Sequence, residues 1–307
     1  YFGSRVWSFP CCWSLLGSHP HRARTMATDS PLNLQEAKDA LEKAKSASDQ
    51  KGEVTAMLQI AQFALETGEL KIAQTNANEA RVLARKIGEA KMEADAVSAN
   101  VSVLISIGEY EEATREAYDG LSICRRKGDD VAEGDALAMV VYAHHLSLSK
   151  ENAKLTKTQI EEDAFKEGVK ELTQTALDSV KLFEKLDDKA KLAQAYVKLA
   201  GVYMLGGEPD LAKNEAKKAY VIFNDLKDGN GYYDACMALA NAHTQRGDFN
   251  SAVRYANEAK ELCAQFQDAW GVSTVQEFID MIKECIMAAE EKGKEIAQLE
   301  MMRVQLA

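Results

Sequence analysis

The side chains able to do chemistry are few, and their spacing does not bring them together. His144-His145 is the only adjacent histidine pair in the chain. Neighbours on a helix point about 100° apart, so these two imidazoles would not close on one metal ion. A single one on a helix face reads as a hydrogen-bonding residue. Paired acids such as Glu161-Glu162 fall on solvated faces. There is no His-x3-His, no Gly-rich phosphate loop and no Gly-x-Ser-x-Gly. Of six cysteines, Cys11 and Cys12 lie in the N-terminal segment, while Cys124, Cys236, Cys263 and Cys285 are dispersed without a Cys-x-x-Cys. They read as reduced, small apolar residues of a reducing compartment, so the expected location is the cytoplasm. No catalytic, cofactor or metal set emerges, and the expectation is a non-enzyme.

What is ordered is the spacing of small residues. Ala240, Gly247, Ala252 and Ala259 place a glycine seven after one small residue, then five and twelve before two others. The same spacing recurs as Ala200, Gly207, Ala212, Ala219, as Ala61, Gly68, Ala73, Ala80, and as Val101, Gly108, Ala113, Gly120. Small side chains are needed where two helix backbones approach. A sharp turn between helices needs a residue tolerant of φ > 0. Each unit is therefore a helical hairpin, and one hairpin cannot bury its own apolar face, so the hairpins must stack.

Small-x6-Gly-x4-Ala-x6-Ala, with an apolar residue two after the glycine (Leu70, Tyr110, Phe249), resembles the tetratricopeptide repeat over roughly residues 52 to 290. The family repeat is about 34 residues, whereas Gly68 to Gly108 and Gly207 to Gly247 are each 40 apart. The extra length adds close to one turn to each helix. The family's early Trp is replaced by Met57, Val97, Tyr196 and Cys236, its closing proline is absent, and Asn100 stands where the family has Leu. The resemblance is to a long-repeat branch found in adaptor and regulatory proteins. It implies an all-α, right-handed α-solenoid of about five hairpins with terminal capping helices.

The chain has 307 residues, 46% apolar and 28% charged, with a net charge of −11. Three arginines and no acid in residues 1–25 account for +3, which leaves −14 for the rest. An acidic body argues against binding a nucleic-acid backbone. It either favours basic partners by steering or merely keeps the protein in solution. No run of 18 apolar residues is present, so no membrane insertion is expected.

Residues 1–25 differ in composition from the remainder, and Met26-Ala27 reads as a start. They are either an upstream leader translated by mistake or a targeting peptide, which would make the location organellar. Residues 26–51 form an N-terminal capping helix over 33–48 with Asn33 as its N-cap. The repeat region spans 52–266. Its third hairpin opens like the second, GDDVAEGDALAMV (128–140) echoing GEAKMEADAVSAN (88–100), but lacks a glycine near 148 and resumes 19 residues late. The inserted 149–167 is either a long loop or an exposed helix extension. Residues 267–307 form a C-terminal capping helix with Val275, Phe278, Ile279, Ile282, Ile286 and Ala289 on one face, and 291–307 are a frayed tail.

The resemblance also implies a binding face, since the family's first helices line a concave groove. Its exposed positions map here onto Thr55, Gln62 and Glu66, then Asp95, Ser98, Ser102 and Ser106. Counting from the expected position 148, the third hairpin adds Asp135, Tyr142 and His145. The fourth adds Gln194 and Met204, and the fifth Asp234, Asn241, Thr244 and Gln245. Asp95, Asp135 and Asp234 share one slot. They suit an extended basic segment, or they answer the dipole of a first helical turn. Lys and Arg are missing from the mapped positions, so acidic C-terminal tails are not expected to bind. The function expected is a scaffold or adaptor holding a partner protein in the groove. The alternative is a structural subunit of a permanent assembly.

Overall fold

The computed structural model describes residues 34–153 and 159–305. Among them are twelve α-helices and no strand. In order these are α1 (Leu34–Ser46), α2 (Gln50–Thr67), α3 (Leu70–Ile87), α4 (Ala90–Ile107), α5 (Tyr110–Lys127) and α6 (Asp130–Asn152). There follow α7 (Gln159–Lys185), α8 (Lys189–Leu205), α9 (Pro209–Leu226), α10 (Gly229–Gln245), α11 (Phe249–Gln265) and α12 (Ala269–Gln305). They form two compact units that divide between Gly206 and Gly207. This division falls inside the fourth hairpin of the sequence reading. None of the helices is long and apolar enough to cross a membrane. Residues 1–33, and with them the Asn33 cap and the leader segment, lie outside the described residues.

Turn chemistry sets the helix lengths. The helices α2 to α5 each run 18 residues. Each ends on a glycine in the left-handed region, Gly68, Gly88, Gly108 and Gly128, at φ of 78, 78, 90 and 69°. The amide of that glycine returns to a carbonyl of the last turn, which satisfies an otherwise orphaned acceptor. Aspartates start many helices: Asp129 accepts from the amides of Val131 and Ala132 at 3.1 Å, and Asp228 does so from Asn230 and Gly231.

In the first unit, α1 to α8 pack each against the next, and α2, α4, α6 and α8 also pack in series. These first helices of the hairpins form one continuous layer, while the second helices make no comparable packing with one another. Fully buried alanines at 61, 64, 73, 77, 80 and 84 allow the close approach. Val97, Val101, Leu121, Leu137 and Val140 fill the middle of the unit. Asn100, at the family's Leu slot, is buried and donates to Asn78 at 3.0 Å, so this departure is a satisfied polar contact. Two ion pairs repeat the period across inter-hairpin turns: Arg85–Glu93 at 2.9 Å and Arg125–Glu133 at 2.8 Å.

The insertion resolves into longer helices. Ser149 to Asn152 continue α6, and α7 is already helical from Gln159; residues 154–158 lie outside the described residues. Lys150 on this extension donates to the Gly108 carbonyl at 3.1 Å and lies over the Tyr110 ring. In the second unit α9 packs on α10, α10 on α11 and α11 on α12. The chain over 291–305, read above as a frayed tail, continues α12 as one helix of 37 residues.

Candidate functional site

The side-by-side layer of α2, α4, α6 and α8 carries most of the mapped binding positions of the first unit. Gln62, Asp95, Asp135 and Gln194 are exposed, and Ser98, Ser102, Tyr142 and Met204 are half-buried. His145 is 3% exposed, which corrects its placement on an open groove face. The helix α6 continues past position 148 without a turn, and His145 meets α8 through a hydrogen bond with the Gly201 backbone. Burial pushes its imidazole down to about 4. In the second unit, Asp234 and Gln245 are exposed and Asn241 is half-buried, but Thr244 is buried. Thr244 donates to the Ala240 carbonyl at 2.8 Å, and Asn241 to that of Met237 at 2.9 Å. Both polar groups turn back on their own helix instead of outward.

A cleft of about 200 Å³ opens between α4 and α6, with α5 beneath it. It gathers Asp95, Ser98 and Asp135 from the mapped set. It exists because the residues lining it from α5, Ala117, Gly120 and Cys124, are short. A Cβ on Gly120 would stand 3.0 Å from Val97 Cγ1, so the glycine lets α4 settle on the α5 backbone. Met139 and the half-exposed Val131 provide apolar walls.

The charges of the cleft are unequal. Asp129 is spent on capping α6. Asp135 pairs with Lys191 of α8 at 2.7 Å. Asp95 makes neither a hydrogen bond nor an ion pair among the described residues. Its carboxyl is held above the ordinary range by burial, with Lys91 opposing and Asp135 adding to the shift. Asp95 and Asp135 are each the sixth residue of their helix, beyond the turn where the macrodipole acts. The dipole account of this slot is thereby weakened. Lys91 and Lys191 reach the cleft from positions the family mapping skipped, so the face is not free of lysine.

Sequence reasoning missed a polar cluster in the second unit. The Tyr220 and Tyr232 hydroxyls lie 2.5 Å apart and reach Glu258 at 3.0 and 3.2 Å. The Cys236 thiol is 3.9 Å from the same carboxylate. Burial raises both phenols and this thiol, so Cys236 is no nucleophile at neutral pH. The members lie on α9, α10 and α11, and no linear motif marks them. Among the described residues no group of three or more His, Cys, Asp or Glu is placed to hold a metal ion.

No family model matches the chain, and no curated protein matches it. Solved structures do. The chain is similar to BtubC (BKLC) from P. vanneervenii, with a TM-score of 0.61 at 16% identity over 78% of this chain and 93% of that one. A Rap protein complexed with Competence and Sporulation Factor matches with a TM-score of 0.54 at 14% identity, over 83% and 70% of the two chains. TTC0263, a thermophilic TPR protein of Thermus thermophilus, matches with a TM-score of 0.53 at 14% identity, over 73% and 99%. With consecutive hairpins, glycine turns and close alanine interfaces in each unit, the chain has the tetratricopeptide-type helical repeat fold.

Proposed function

We propose that the chain is a non-enzymatic scaffold that holds a segment of a partner protein against the layer formed by α2, α4, α6 and α8. The observation that carries this reading is the α4–α6 cleft, where a partly desolvated carboxylate with no hydrogen bond or ion pair among the described residues faces an open hollow of mixed lining. A carboxylate so placed is a recurrent mark of a functional site. The Rap protein named above is similar in fold and was solved with a factor bound, which supports a ligand-holding role for this architecture. The net charge of −11 and the carboxylates at the cleft favour a basic segment over nucleic acid. The buried free thiols of Cys124, Cys236 and Cys263 suit a reducing, cytoplasmic setting.

The test is affinity capture from native lysate with the full chain, read by mass spectrometry, beside two variants. One reverses charge on the layer (Asp95→Lys with Gln62→Lys). The other reverses it on second helices (Glu79→Lys with Asp119→Lys). The expected result is a partner kept by the second-helix variant and lost by the layer variant. The opposite pattern moves the interface to the second helices and overturns the proposal.

A further inference from the structure

The cleft between α4 and α6 combines three features that together select one kind of occupant. Its lining is mixed, with apolar surface from Met139 and the half-exposed Val131. Its mouth carries Asp95 and Asp135, close enough that the charge of one disfavours ionisation of the other. Two lysines adjoin these carboxylates. Lys91 is exposed and makes no ion pair with Asp95 within 4.0 Å, and Lys191, though paired with Asp135, also rests over the Phe183 ring. An apolar side chain would fill the hollow but leave the Asp95 carboxylate without an ion pair, Asp135 already having Lys191. An acidic one would be repelled by both carboxylates. A long basic side chain satisfies both parts, because its methylene stem covers apolar surface while its head stays among polar groups.

We propose that this cleft is an anchor pocket for a single arginine or lysine side chain of the protein partner. The stem lies along Met139 and Val131, and the cationic head sits against the carboxylate of Asp95, which has no ion pair among the described residues, with Asp135 and its partner Lys191 beside it. The inference rests on the scaffold reading above and adds the chemistry of one contact. Neither Thr55 nor Gln194, the corresponding residues of the first and fourth hairpins, carries a charge, so within the first unit the acidic pair is confined to this cleft.

The experiment uses the full chain carrying 13C-labelled methionine and valine methyls, titrated with capped pentapeptides Ala-Ala-Xaa-Ala-Ala. Xaa is arginine, lysine, citrulline, norleucine or glutamate. Citrulline is the uncharged isostere of arginine, and norleucine keeps the lysine stem without its charge. The Met139 and Val131 methyl signals are expected to move with the arginine and lysine peptides. The neutral analogues should need roughly tenfold more peptide, about 1.4 kcal/mol. Asp95→Asn should weaken arginine binding several-fold. Because the Asp95 carboxylate makes no hydrogen bond or ion pair among the described residues, this change removes none of those, and an unchanged amide spectrum will verify that the fold is kept. Glu79→Gln, an exposed acid on the second helix α3, should change nothing. Equal response to arginine and citrulline overturns the proposal, as does an Asp95→Asn protein that binds arginine like the parent, or movement confined to methyls outside the cleft. If a partner is captured through the layer yet is insensitive to Asp95→Asn, the anchor fails and the scaffold reading stands. If the layer captures nothing, both fail.

Discussion

Asp95 and His145 entered the sequence reading as members of one face, and the structure gives them opposite surroundings. Asp95 is exposed, and its register comes from an intact hairpin that ends on Gly108. His145 was counted from a glycine that does not exist, and α6 carries it under α8. Its burial makes a pH prediction. The folded imidazole titrates near 4 and the unfolded one near 6.5, so below pH 6.5 the unfolded chain binds more protons. Stability is then fully present above about pH 6.5 and is lost progressively as pH falls toward 4. The loss from this residue is about 3 kcal/mol at most, taken from the shift at 1.36 kcal/mol per pH unit. Urea midpoints measured at pH 7, 5.5 and 4.5 should fall steeply in the parent and less in His145→Gln. A residual slope is expected, since burial also lowers the imidazoles of His144 and His243. Parallel slopes in parent and variant would show that His145 is solvated and refute its placement.

At the level of elements, glycine marks the turns inside hairpins, and Asp188, Asp228 and Asp268 mark the later turns between them, where each caps the next helix. Gly68, Gly108, Gly207 and Gly247 mark the bends inside hairpins by composition alone. Yet Asp187, Lys227 and Gln267 hold the same left-handed geometry, at φ of 52, 58 and 57°, with side chains that disfavour it. There the next residue closes the bend: the amides of Asp188, Asp228 and Asp268 donate to the carbonyls of Phe183, Phe223 and Cys263. Lys227→Gly and Gln267→Gly should therefore each stabilise the chain by roughly 0.5–1 kcal/mol, since glycine enters this region without a Cβ clash. Gly128→Ala should lose about as much. Thermal midpoints of the three variants check the signs, and a destabilised Lys227→Gly would mean that the Lys227 side chain contributes more than its backbone costs. The insertion stayed open between loop and helix, and the length of α12 was hidden, for one reason. Polar helix without a partner layer looks like loop in sequence, because helical periodicity shows only where one face is apolar. The cleft was equally hidden, since its short lining residues come from α5 and the ion partner of Asp135 comes from α8, across the broken repeat.

At the scale of the whole molecule, stability within each unit is a sum over near neighbours: among the described residues each helix of a unit packs on the next, and in the first unit α2, α4, α6 and α8 also pack in series. A local fault should then spread only a short way. Gly134 of α6 tests this, because a Cβ there would stand 2.7 Å from Cε1 of the buried Phe183 ring on α7. Phe183 is 2% exposed and has no free space to retreat into. Overpacking of this kind costs about 1–3 kcal/mol, partly offset by the better helix propensity of alanine over glycine, about 1 kcal/mol. Native-state hydrogen exchange of Gly134→Ala should show the largest loss of protection in α6 and α7. The loss should be smaller in α5 and α8 and close to none in α2 and α3, since openings in repeat arrays are local. A uniform loss across the first unit would instead mean that α1 to α8 open as one cooperative body. The partner-binding layer would then gain or lose its order as a whole, and the occupancy of one cleft would stiffen every hairpin of that unit.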